Sequence, residues 1–65
     1  MNKKPTTKEI ADALGLTTDQ IGGYIASTEK RADGSWLIYL DTRIESLDFY
    51  EKIKSKLKGF YTYEM

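Results

Sequence analysis

Two copies of one local pattern, eleven residues apart, constrain this chain more than any other feature: Thr6 with Glu9, and Thr17 with Gln20. In each, the threonine oxygen can accept from the backbone N–H three residues on while the longer side chain reaches back, which starts a helix. Gly15 stands between them, where a helix C-terminus favours a left-handed residue. Ile10, Ala11 and Leu14 recur at helical spacing. The pattern predicts a helix from about Thr7 to Leu14, a turn at Gly15, and a second helix beginning near Thr18 with the apolar stripe Ile21, Tyr24 and Ile25.

Gly22 and Gly23 fall inside that second helix. Each interior glycine costs about 0.8 to 1 kcal/mol relative to alanine, so the pair calls for a reason. With Ile21, Tyr24 and Ile25 facing inward, rotation of about 100° per residue turns both glycines mainly outward.

Beyond them the period changes. Asp33-Gly34 lies between segments of strand character, with Trp36, Ile38 and Leu40 alternating against Leu37 and Tyr39, and this predicts a hairpin. Trp36 is expected to pack in the core. The stretch DTRIESLDFYEKIKSKLKG then offers Thr42 with Glu45 as a third capping pair, Ile44, Leu47, Tyr50, Ile53 and Leu57 at helical spacing, and Gly59 as a stop. It predicts one long third helix. Acidic residues gather at its start and Lys52, Lys54, Lys56 and Lys58 at its end, as the helix dipole favours. The aromatic tail over 60–65 is open between a strand, packing across the helices and a loose end, with Phe60 expected in the core.

The 65 residues suffice for one domain with a thin core, which a basic arm over 1–5 precedes; Pro5 biases Lys4 toward an extended conformation. The sequence has no cysteine and no histidine, so thiolate metal sites, disulfides, imidazole bases and cysteine nucleophiles are excluded. An enzyme, a cofactor and a small-molecule substrate are not expected. Ten basic residues balance ten acidic ones. No apolar run is long enough for a membrane span and no signal peptide opens the chain, so a cytoplasmic location is expected.

A helix-turn-helix needs a small residue where its helices touch, a glycine at the turn and apolar anchors after it; Ala11, Gly15, Leu16 and Ile21 supply these. TTKEIADALGLTTDQIGGYIASTEKRADG resembles the helix-turn-helix half of winged-helix DNA-binding domains, including small bacterial, archaeal and phage ones. The match runs from Thr6 to Tyr24, and a hairpin from Glu29 to Leu40 fits the wing. Two features depart from the family: Thr28 stands where many relatives carry leucine, and only MNKKP precedes the motif. The resemblance implies an α+β fold, a helix-turn-helix followed by a β-hairpin wing and a C-terminal helix.

It also implies that the second helix enters the major groove of double-stranded DNA. Gly22 and Gly23 would then permit close backbone approach, with Thr17, Thr18, Gln20 and Ser27 exposed beside them and Gln20 suited to adenine. Lys3, Lys4, Lys8, Lys30 and Arg31 are the candidates for phosphates. The expected function is a small DNA-binding transcriptional regulator or accessory factor, aided by a homodimer or a protein partner. The alternative is a winged-helix protein adaptor or inhibitor of host machinery, motivated by the zero net charge, the side-chain-poor helix and the aromatic tail.

Overall fold

The computed structural model describes residues 3–65; of the arm expected over 1–5, Met1 and Asn2 lie outside the described residues. The chain is an α+β fold in which three short α-helices and a 3-10 helix pack on one face of a three-stranded antiparallel sheet.

Both capping pairs form as the sequence indicates. Thr6 Oγ1 accepts from the Glu9 N–H at 3.1 Å and Glu9 Oε1 accepts from the Thr6 N–H at 2.8 Å, opening helix α1 (Thr7–Leu14). Gly15, at φ 75°, closes it in a Schellman motif: its own N–H donates to Asp12 and that of Leu16 to Ala11. Thr17 and Gln20 repeat the exchange at 3.2 and 2.9 Å to open α2 (Thr18–Ile21).

The second helix then departs from expectation, because it ends after one turn. The Gly22 N–H still reaches the Thr18 carbonyl at 2.8 Å, but Tyr24 donates to Ile21, and the Tyr24 carbonyl accepts from the Asp41 N–H at 2.7 Å. That last bond draws the chain into the sheet. Glycines with little helix propensity yield to β-branched Ile25 and Thr28, which pair as a strand. Tyr24 and Ile25 are therefore half-buried residues at the entrance to strand β1 (Ile25–Lys30), not part of a helical stripe.

The hairpin is present and longer than expected, running from Ile25 rather than Glu29 to the end of β2 (Trp36–Leu40). Gly34 takes φ 92° at its turn, and Asp33 Oδ1 accepts from the Ser35 N–H and hydroxyl at 2.9 and 2.6 Å. A bulge at Ala26 interrupts the register between Ile25, opposite Leu40, and Ser27, opposite Tyr39.

The long third helix is also corrected. Asp41, not Thr42, provides the cap, accepting from the Arg43 N–H at 2.8 Å, and Thr42–Ser46 winds as a 3-10 helix. Leu47 is extended at φ −92° and ψ 148°, after which α3 occupies only Tyr50–Lys54. The break resets the helical phase so that Ile44, Tyr50 and Ile53 all reach the core. Gly59, at φ 86°, bends the loop that follows instead of stopping a helix. Residues Thr62–Glu64 form β3 beside β2, giving the order β1-β2-β3.

Ile38 and Leu40 of β2 face the helices, where Ile10, Leu14, Ile21, Ile44 and Ile53 complete a core of branched aliphatic side chains. Trp36 is half-buried against it, with its indole N–H enclosed and without a hydrogen-bond partner. Lys52 and Lys56, expected to match their own helix dipole or to belong to a second phosphate-binding patch, donate to the Gly15 and Leu14 carbonyls at 3.1 and 3.2 Å. Tyr50 holds the tail through its hydroxyl, which donates to the Phe60 carbonyl at 3.0 Å. Phe60 is 64% exposed, contrary to the core position expected for it.

Candidate functional site

The parity of the sheet's hydrogen bonds decides which backbone groups are left over. Trp36 and Met65 exchange both main-chain bonds, at 3.2 and 2.8 Å, and the Leu40 N–H donates to Tyr61 at 2.8 Å. Even-numbered residues of β2 thus serve β3, and Leu37 and Tyr39 serve β1 through their partners Glu29 and Ser27. The Arg31 N–H, on the Ser35 carbonyl at 2.8 Å, follows the same parity. Thr28 and Lys30 consequently aim their N–H and C=O groups away from the sheet. Among the described residues no main-chain group pairs with them.

A groove of about 250 Å³ lies along this edge, formed by Ile25, Ala26, Ser27 and Thr28 of the strand with Lys4, Pro5, Thr7, Ile10 and Gly22. Pro5 has no N–H, so the arm cannot extend a continuous ladder beside β1. Lys4 is the one charged residue among those that line it, and none of them is acidic. Glu29, the carboxylate of β1, projects to the other sheet face, where its Oε1 accepts from the Tyr39 hydroxyl at 3.2 Å. That contact and burial both hold the Tyr39 hydroxyl above its ordinary pKa, burial being the larger cause.

Of the residues marked by the sequence, the structure gathers Lys4, Gly22 and Ser27 in this groove. Lys3 stands exposed on the arm before it, and Lys30 ends the same strand. The others are occupied or elsewhere. Lys8 pairs with Asp12 at 3.0 Å one turn along α1. Thr17 and Gln20 are bonded to each other in the cap, so the Gln20 carbonyl oxygen expected to read adenine accepts from the Thr17 N–H. The Thr18 side chain is exposed and its carbonyl takes the Gly22 N–H. Arg31 pairs with Glu64 of β3.

The glycines also part company. A Cβ on Gly22 would lie 2.7 Å from the Thr18 carbonyl oxygen, whereas one on Gly23 would meet nothing within 4 Å. Close approach is thus internal at Gly22, between one turn of backbone and the next. Because α2 stops at Ile21, neither glycine nor Ser27 lies on a recognition helix, and Ser27 belongs to β1.

Sequence reasoning missed Pro5, Thr7, Ile10, Ile25, Ala26 and Thr28 as groove residues. The polar composition of IASTEK, lacking the alternation of WLIYL, was the available signal of an edge strand. No helix among the described residues is long and apolar enough to cross a membrane. Comparison with protein-family models, curated proteins and solved structures finds no match to this chain.

Proposed function

We propose that this chain is a non-enzymatic protein-recognition module that captures an extended peptide segment as a fourth strand on the outer edge of β1. The observation that carries this reading is the pair of outward backbone positions, Thr28 and Lys30, beside a groove that continues the edge. Proteins usually blunt or cover such edges, because unpaired N–H and C=O groups template strand addition. Main-chain pairing supplies affinity in this mode and the flanking groove supplies selectivity.

The test is an amide NMR titration with a capped peptide of about six residues alternating valine and threonine, a length typical of a strand. Shifts and slowed exchange at Thr28 and Lys30 are expected, with the α3 amides unmoved. Shifts centred on the aromatic tail instead would move the binding surface and remove the reading.

DNA binding through a winged helix is a second reading, favoured by the fact that Lys3, Lys4 and Lys30 have no ion-pair partner among the described residues. It would rely on phosphate contacts, since Gln20 is engaged in its cap. Salt-sensitive shifts on adding a generic duplex, confined to the arm, α2 and the hairpin, would favour it over peptide capture.

A further inference from the structure

We infer that the segment taken up by β1 is acidic, with carboxylates at alternate positions; this rests on the peptide-capture reading. Lys4 is the one charged residue lining the groove, and no acidic residue lines it. Lys30 lies two residues beyond Thr28 on the same face of the strand, about 7 Å along it. Neither lysine has an ion-pair partner among the described residues.

The acids along this stretch are engaged elsewhere: Glu9 accepts from the Thr6 N–H at 2.8 Å, Asp33 from the Ser35 N–H at 2.9 Å in the turn, and Glu29 lies on the opposite sheet face with Tyr39. The edge is therefore locally cationic although the whole chain is neutral. An incoming strand places every second side chain on one face, so acids spaced by two would meet the lysine-bearing face together. The Thr7 and Thr28 hydroxyls, which make no hydrogen bond among the described residues, add neutral donors to that face.

A polypeptide suits this edge better than a nucleic-acid backbone does. Thr28 and Lys30 each offer a donor and an acceptor, and a paired strand satisfies both, whereas phosphate oxygens would leave the carbonyls unpaired.

The experiment measures binding of the full chain to three capped peptides of identical length, alternating valine with glutamate, glutamine or lysine. The glutamate peptide is expected to bind about fivefold more tightly than the glutamine peptide at low salt, with the gap closing as the ionic strength approaches about 1 M. The lysine peptide should bind most weakly. Lys4→Glu/Lys30→Glu should reverse the order of the glutamate and lysine peptides, and its amide spectrum reports whether the fold is kept. Equal binding of the glutamate and glutamine peptides would overturn the acidic preference and leave strand capture standing. Failure of all three would overturn both, and so would β1 shifts on concentrating the chain alone, which would give the edge to a second copy.

Discussion

Lys56 donates its ammonium to the Leu14 carbonyl across 3.2 Å, closing the end of α1 from a position 42 residues away. Lys52, one turn earlier, does the same for Gly15 at 3.1 Å. Cations at a helix C-terminus are worth about 0.3 to 1 kcal/mol each, and α1 has no basic residue of its own in its last turn. Replacing both with methionine should lower stability by about 1 kcal/mol, or roughly 4 to 8 °C in Tm for a domain of this size. Thermal unfolding followed by circular dichroism checks this. Loss of either lysine alone should be milder, and an unchanged Tm in the double variant would mean that the contacts are not formed in solution.

The adjacent glycines should respond to alanine in opposite directions. Gly22→Ala forces a methyl against the Thr18 carbonyl and should cost about 1 to 3 kcal/mol, the usual range for overpacking. Gly23→Ala meets open space at a position without positive φ, and should stabilise by about 0.4 to 1 kcal/mol by restricting the unfolded chain. Urea denaturation of the two single variants separates them.

Removing the Tyr50 hydroxyl should loosen the tail more than the core. Tyr50 is 5% exposed and its hydroxyl donates to Phe60 at 3.0 Å, so Tyr50→Phe should cost about 1 kcal/mol. Hydrogen exchange should quicken at the amides of β3 while those of α1 change little. Uniform acceleration across the chain would place the cost in the core instead.

The pH dependence has two ends. Asp33 and Asp41 titrate below the ordinary aspartate value, through side-chain contact first with Ser35 and Arg43 respectively and then through the backbone N–H groups they accept from. Stability from these contacts is complete above about pH 4 and is lost as pH falls through the depressed values. Tyr61 titrates above its ordinary value, chiefly because its hydroxyl donates to Glu45. That contribution is present below about pH 10 and is lost as pH rises through the raised value. Asp33→Asn with Asp41→Asn should flatten the acid limb of a stability-pH curve, and Tyr61→Phe the alkaline limb.

The sequence was readable where a few adjacent residues decide the geometry. The two capping pairs, the Gly15 closure and the Asp33-Gly34 turn each use groups within five residues of one another, and all form. It misled where distant pairing competed with helical spacing. Tyr24 and Ile25 fit an apolar stripe, yet the Asp41 N–H and Leu40 draw them into the sheet. Leu47 sits in phase with Ile44 and Tyr50, but an extended residue there lets a 3-10 turn and α3 each face the core. The groove was only partly legible, since Lys4, Gly22 and Ser27 meet through the return of β1 past the start of α1.

Trp36 is the single tryptophan of the chain, and its enclosed, unbonded indole N–H gives the sheet an optical gauge. It stands opposite Lys30 on one side and bonds through its main chain to Met65 on the other. An indole partly shielded from water emits further to the blue than an exposed one, and water admitted by peeling back either neighbour would shift its fluorescence to the red. Steady-state emission can therefore follow both outer strands from one unlabelled chromophore.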